Sequence, residues 1–274
     1  MTRSILPDRS VLVLDGPDTI ALLERLVTNN TKAWETGEAR YGALLTPQGK
    51  IIADFIAHRT DTGAHLDVAT HAVGDLSNRL KLFRLRAKVE IDCIGKLAVA
   101  IDDSAPADPR SADLPGRLIV EIGSAPDLSA ADWDAIRIPA GVAEWGRDYT
   151  GAEVFPWEIN MDRMNGVDLK KGCFVGQEVV SRTHRKGKIR KRTVVIEGAN
   201  LQPGSDVMAT TSLGTITSAT PTHALARLRI DRLAKAEADD VSLSVDEKPV
   251  RLIKPDWLAI EMAASLPDGN EPVA

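Results

Sequence analysis

Apolar and polar positions alternate with two periods along this chain, and the switches between them outline the elements. Val11 to Leu14 reads as a strand closed by Asp15-Gly16-Pro17. A helix follows, because Ile20, Leu23 and Val27 recur at helical spacing and Pro17 suits a helix start. Tyr41–Leu45 and Ile51–His58 form two strands around the turn Thr46-Pro47-Gln48-Gly49, and Ala64–Ala69 forms another. Val73, Leu76, Leu80 and Phe83 then fall three or four apart, with Lys81, Arg84 and Arg86 between them, which predicts an amphipathic helix with a basic outer side. Val89–Ile94, Leu97–Ile101 and Leu118–Ile122 are strands, and Ala130–Ile138 is a helix. Residues 103–116, rich in Asp, Ala, Ser and Pro, read as an exposed loop, and Cys93 reads as a core residue of its strand.

After Arg192 the pattern changes to short β-rich runs, at Thr193–Ile196, Gly214–Thr220, Ala224–Ile230, Val241–Val245 and Arg251–Ile253. Five short strands without a long helical pattern predict a small β-barrel over 193–262, with a flexible tail over 263–274. The strand and helix order before residue 192 predicts an α+β region with mixed sheets over 1–192, not a doubly wound fold. No G-x-G-x-x-G motif follows a strand and no P-loop occurs.

Composition narrows the functional classes. The 274 residues are 43% hydrophobic and 27% charged, the range of an ordinary globular protein. Thirty-four Lys and Arg against 39 Asp and Glu leave a net charge of −5, so the molecule as a whole is not a basic nucleic-acid binder. Only two cysteines, Cys93 and Cys173, rule out a disulfide scaffold and a four-thiolate site. No stretch approaches a membrane span and no secretory signal opens the chain, so the expectation is a reduced, cytoplasmic protein without membrane partners. The five histidines show no zinc-binding spacing and no nucleophile elbow surrounds a serine. No permanently bound metal is expected, and no complete catalytic constellation is visible.

Charge is concentrated in residues 163–192, where ten Lys and Arg face only Asp168 and Glu178, a net +8. The segment could bind a polyanion, or another protein, or form a solvated face. It holds one aromatic residue, Phe174, so base-specific reading of RNA is disfavoured. Within it lies Lys170-Lys171-Gly172-Cys173-Phe174-Val175-Gly176-Gln177-Glu178. Flanking glycines leave the thiol accessible, and the two preceding lysines favour its thiolate. Such a thiolate can be a nucleophile, a redox group or one ligand of a metal centre; a small apolar side chain buried in a turn is the alternative.

The eight residues Lys171 to Glu178, followed by Arg182 and the basic run to Arg192, resemble the signature of the YgfZ family, with Phe174 where Tyr is usual. The resemblance extends to Leu26–Asn30, to Leu44–Ile51, to Ile138–Val142 with Gly146-Arg147-Asp148, and to Phe155–Asn160. It implies a folate-binding relative of the glycine-cleavage T-protein that supports assembly or repair of [4Fe–4S] clusters in client enzymes, with iron–sulfur client or carrier proteins as partners. The implied fold is a ring of α+β, ferredoxin-like units around a central cavity, ending in a small β-barrel. Cys173 would be the key residue, with Lys171, Gly172, Phe174, Gly176, Gln177, Glu178 and Arg182 completing the motif. Tetrahydrofolate or a related folate would be the cofactor. Its site would include Tyr41 and Asp54, which match the T-protein hairpin and its catalytic Asp, together with Trp157, Glu158 and Asn160. Trp145 and Trp157 would line the cavity, and Trp257 would be a packing anchor. One departure is Pro139, which stands where T-proteins carry a pterin-contacting Glu. Two other readings remain: a tetrahydrofolate-dependent aminomethyl or methyl transferase, and an RNA- or protein-binding module built on the basic 163–192 segment.

Overall fold

The computed structural model describes residues 3–186 and 189–266. Strands β1 (Ser4–Ile5), β2 (Arg9–Asp15), β3 (Ala39–Leu45), β4 (Ile51–Arg59), β5 (Gly63–Ala69), β6 (Glu90–Cys93), β7 (Leu97–Ile101) and β8 (Arg117–Glu121) precede the basic segment. Helices α1 (Thr19–Leu26), α2 (Val73–Arg84) and α3 (Ala130–Arg137) lie among them, and α4 (Gln177–Lys186) follows the cysteine.

The first sheet is antiparallel, in the order β3-β4-β5-β2-β6. Both of its faces are covered, which is why β3 and β4 are almost continuously apolar instead of alternating. Helices α1 and α2 cover one face through Leu22, Leu23, Leu26, Leu76 and Leu80 against Leu12, Leu44 and Phe55. The other face carries Tyr41, Leu45 and Ile56 and packs on Tyr149, Trp157, Ile159 and Phe174. A second sheet, β1-β7-β8, packs with Trp133 of α3 around Val99 and Ile101.

The C-terminal sheet has seven strands. They are β9 (Lys191–Glu197), β10 (Asp206–Met208), β11 (Ser212–Ala219), β12 (His223–Arg229), β13 (Ser244–Val245), β14 (Lys248–Pro249) and β15 (Arg251–Ile253). Their order is β14-β13-β10-β11-β12-β9-β15. Two helices, α5 (Ile230–Ala238) and α6 (Asp256–Ser265), belong to this region and correct the all-strand expectation. Helix α5 does carry Ile230, Leu233 and Ala234 at helical spacing, but within a single short run. Helix α6 is apolar on nearly every side (Trp-Leu-Ala-Ile-Glu-Met-Ala-Ala), so no amphipathic period marks it. It occupies the start of the expected tail as far as Ser265; residues 267–274 lie outside the described residues.

Two further expectations are corrected. Cys93 is exposed, because β6 is an edge strand and only its Ile91 is buried. The 103–116 loop is not wholly exposed, since Asp108 and Arg110 are buried.

The reason is a closed ion network where the first two sheets meet. Asp67 of β5 accepts Nε of Arg9 at 2.6 Å and Nε of Arg117 at 2.5 Å. Asp108 takes Arg110 bidentately at 3.0 and 2.7 Å and Arg117 at 3.2 Å, and Glu144 meets Arg110 at 3.4 Å. Three guanidiniums thus face three carboxylates, which is what allows all six charges to be buried. Burial opposes ionisation of Glu144, yet Arg9 and Arg110 bring its carboxyl down to about 2. A second ionic seam ties α3 to the barrel: Arg137 pairs with Asp148 at 2.7 Å and donates to the Ser218 hydroxyl at 2.9 Å.

Candidate functional site

The cysteine loop is latched to the turn that ends α1. Thr28 Oγ1 donates to the Gly166 carbonyl at 2.6 Å, the Asp168 amide donates to Thr28 O at 3.0 Å, and Asn29 Nδ2 donates to Asn165 O at 2.7 Å. The carboxylate of Asp168 then accepts the amides of Lys170 and Lys171, turning the chain. Lys171 points inward, with its Nζ donating to the carbonyls of Val27 at 2.8 Å and Asn29 at 2.6 Å and sitting 3.6 Å from Glu24. It also lies over the Phe174 ring, 5.5 Å from the centroid. Burial lowers the Lys171 pKa, while Glu24 raises it. Lys171 is therefore a structural clasp and not the activating cation expected for Cys173.

Phe174 is buried, and its neighbours close the other side of the loop. Gly176 adopts φ +81° and rests against the β3–β4 turn, where an added Cβ would lie 2.6 Å from Thr46 O. Gln177 reaches back to the Lys171 carbonyl at 3.4 Å. Between these fixed points Gly172 and Cys173 are exposed, and the thiol is free. Glu178 and Arg182 are exposed on α4. The structure thus presents the thiol outward from a loop held at both ends.

Tyr41 and Asp54 do come together, joined by Tyr149, which the sequence reading missed. Asp54 is 3% exposed and accepts the hydroxyl of Tyr41 at 3.1 Å and that of Tyr149 at 2.6 Å. The pairing of Ala43 with Asp54 and of Tyr41 with Ile56 puts the two predicted residues diagonally on one sheet face. Burial and the Asp54 charge push both tyrosine pKa values well above 10, so both hydroxyls remain donors. Tyr149 carries no local signal beyond its nearness to Gly146-Arg147-Asp148; only the fold brings it to Asp54.

A cavity of about 530 Å³ lies where the barrel meets the preceding region, lined by Arg110, Pro139, Asn160, Arg163, Val195 and Trp257 among others. Asn160 has φ +61° at the end of the short 3₁₀ turn Pro156–Ile159. Its Nδ2 donates to Thr193 O at 2.7 Å, whereas its buried Oδ1 has no partner. Trp257 lies beneath two guanidiniums, Arg163 at 5.6 Å and Arg192 at 5.4 Å. Neither Trp145 nor Trp157 lines this cavity, whereas Trp257, which packs on the barrel core as expected, also does so. Trp157 is buried in a stack on Phe155, and Trp145 donates to Ile52 O beside a smaller cavity of about 70 Å³. Glu158 does not line the cavity either, because its Oε2 caps the Phe155 amide at 2.8 Å. Pro139 forms part of the wall.

The basic segment is less available to a polyanion than its charge suggests. Arg192 is buried between Asp162 and Glu261, Arg163 pairs with Glu261 at 2.6 Å, and Lys171 is enclosed. Lys170, Arg182, Arg190 and Lys191 are exposed, and the side chains of Arg185, Lys186 and Lys188 lie outside the described residues. Among the described residues no group of His, Cys, Asp and Glu could hold a metal ion, and no helix is long and apolar enough to cross a membrane.

Comparison with known proteins agrees with this architecture. The C-terminal β-barrel domain of CAF17 matches residues 190–260. The crystal structure of the glycine cleavage system aminomethyltransferase T from Bartonella henselae superposes with a TM-score of 0.71, at 14% identity, over 94% of this chain and 86% of that one. The fold is therefore the mixed α/β T-protein fold with a nearly closed C-terminal barrel. In sequence, the chain is 30% identical to the human mitochondrial iron–sulfur cluster assembly factor IBA57 over 242 residues, 74% of this chain and 68% of that protein. It is 32% identical to the Mycosarcoma maydis mitochondrial homologue over 221 residues, 69% of this chain and 55% of that one. The Neurospora crassa homologue is 28% identical over 225 residues, 68% of this chain and 51% of that one, so the chain spans about half the length of these fungal relatives. These relatives are named as mitochondrial, which overturns the expectation of a cytoplasmic protein. That expectation rested on free, unpaired cysteines, which suit any reducing compartment and do not single out the cytoplasm.

Proposed function

The chain belongs to the IBA57 family of iron–sulfur cluster assembly factors, within the group of T-protein-like folds, and from this premise we propose that it takes part in assembling or repairing [4Fe–4S] clusters through Cys173. The observation that carries the reading is the presentation of this thiol: free and exposed, on a loop clasped by Lys171 and seated by Gly176. A [4Fe–4S] cluster needs four protein ligands, so Cys173 supplies one ligand to a cluster whose remaining ligands come from a carrier or client protein. The cluster is cargo.

A folate fits the cavity between the barrel and the preceding region. About 530 Å³ lies within the usual range for small-molecule sites. The unpartnered Oδ1 of Asn160 calls for a ligand N–H, which a pterin has in several places. Arg163 suits a ligand carboxylate, and Trp257 gives the wall an aromatic surface for a flat heterocycle. Tetrahydrofolate, when bound, supplies a reduced ring able to carry one-carbon units. Asp54 acts at one remove, by fixing Tyr41 and Tyr149 behind the cavity wall. Its two oxygens are both taken by tyrosine hydroxyls and it does not line the cavity, which favours the assembly role over an aminomethyl or methyl transferase.

Complementation tests the thiol. In a strain lacking the protein, wild type restores the activity of [4Fe–4S] enzymes and Cys173→Ser does not; full rescue by Cys173→Ser, at equal protein level, removes the role of the cysteine. Calorimetric titration with tetrahydrofolate tests the cavity: saturable heat that is lost in Asn160→Leu supports it, and no heat at high protein concentration removes the folate.

A further inference from the structure

Helix α2 and the turn after it form a second basic face, apart from the 163–192 segment. From residue 76 to residue 89 the chain carries Arg79, Lys81, Arg84, Arg86 and Lys88 and no acid, within a protein of net charge −5. Elsewhere the arginines are mostly paired. Here Arg25, Arg79, Lys81, Arg84, Arg86 and Lys88 have no carboxylate partner among the described residues, and all but Arg84 are exposed. Asp75 and Glu90 flank this run, and Asp18 has an oxygen occupied by the Lys88 amide at 2.8 Å.

Two large apolar side chains stand among these cations. Leu82 is 69% exposed and Leu85 is 80% exposed. Leu85 also has φ +51° and ψ −110°, a strained and costly conformation for any residue with a side chain. Neither side chain returns that cost by packing in the core. Beside Leu85 the surface is concave, with a cavity of about 550 Å³ between the turn and the Ala21–Arg25 face of α1. Its lining combines the small side chains Ala21 and Ala87 with Leu85, three cations (Arg25, Arg84 and Arg86) and one carboxylate, Asp18.

We propose that this face is a docking site for a partner protein, which it grips through an acidic segment bearing one large apolar side chain. The apolar side chain enters the hollow beside Leu85 and Ala21. Carboxylates on either side of it meet Arg25, Arg84 and Arg86, which have no internal carboxylate to give up. A hollow of this size with a charged rim fits a side chain on a peptide better than it fits a flat array of lipid headgroups. Charge complementarity sets the encounter rate and its salt dependence, and the leucines and the hollow supply the short-range specificity. The inference does not depend on the folate or the cysteine readings, and it stands if either fails.

A random peptide library selected on the full-length protein tests it, with the same selection run on Leu82→Ser/Leu85→Ser and on Arg25→Glu/Arg86→Glu. All four positions are exposed and make no ion pair among the described residues, and a thermal melt checks that the variants stay folded. The expected result is enrichment of peptides with Leu, Ile or Phe flanked by Asp or Glu, whose affinity falls about tenfold or more on either variant and falls with added salt. Enrichment without acidic residues, binding that is equal on the variants, or no enrichment at all overturns the proposal. So does saturable binding to phosphatidylglycerol–phosphatidylcholine vesicles that selects no peptide, which would make the face a membrane surface. A concentration-dependent dimer in sedimentation that the variants abolish would assign the face to a second copy of the chain and would also overturn it.

Discussion

Replacing Lys171 by Met removes an ammonium while keeping most of its apolar stem, and so isolates the clasp from the packing. In the native protein that ammonium is fully enclosed, at 0% side-chain exposure, with Nζ 2.8 Å from Val27 O and 2.6 Å from Asn29 O. Hydrogen bonds from a charged donor contribute roughly 1.5–3 kcal/mol each, and burying the ammonium gives part of that back. Met also strands two carbonyls that Nζ had satisfied. The net expectation is a loss of about 3 kcal/mol, or roughly 5–10 °C in Tm for a chain of this size. The loss should be local in origin. Amide exchange should accelerate across 165–176 and at Thr28 and Asn29, where the loop and the α1 turn share hydrogen bonds, and less in the barrel. Cluster-enzyme rescue should fall with Cys173 still present, because the thiol is no longer held in one place. A melting point within about 1 °C of wild type, with exchange unchanged over the loop, would refute the clasp.

Three other expectations follow from the geometry. Gly176→Ala should destabilise by about 2–4 kcal/mol in urea titration, because its Cβ would meet Thr46 O at 2.6 Å from a positive φ, whereas Gly172→Ala, with nothing within 4 Å, should be near neutral. Tyr149→Phe should cost about 1–3 kcal/mol by leaving Asp54 Oδ1 without its 2.6 Å partner; the double variant with Tyr41→Phe should depart from additivity, since both hydroxyls serve one carboxylate. Burial lowers the His58 pKa to about 4 from 6.5. The unfolded chain therefore binds the extra proton first, and stability should be full above pH 6.5 and fall by up to about 3 kcal/mol as the pH drops towards 4. His58→Phe should flatten that slope in denaturant titrations at several pH values; an unchanged slope would place the acid sensitivity elsewhere.

What could be read from the residues was whatever has a short period or a close spacing. The strands of the first sheet, helices α1 and α2, and the change to short β-rich runs after Arg192 all repeat a local pattern within a few residues. The glycines of the cysteine motif could be read as turn formers, but the reason for Gly176, its seat against the turn at Thr46–Gly49, lies far off in the chain. What escaped depends on partners far away in the chain. Arg110 is buried because Asp108, Glu144 and Arg117 converge on it, and a loop rich in Asp, Ser and Pro gives no sign of that. Lys171 reads as an activating cation until Val27 and Asn29, more than 140 residues earlier, take its protons. Tyr149 and Trp257 carry no motif; the first is found through Asp54 and the second through the cavity it lines.

The cavity that holds Asn160 also has a history in time. One wall comes from the middle of the chain, at Arg110 and Pro139, and another from Ile253, Pro255 and Trp257 near its end. Strand β15 pairs with β9, and α6 follows it directly, so the second wall arrives only when the last strand has joined the barrel. Until β15 has paired with β9, the residues of the first sheet and of the cysteine loop are in hand but this wall of the cavity is missing. A ligand there can add to stability only after helix α6 has docked, and a truncation before Trp257 forfeits that contribution.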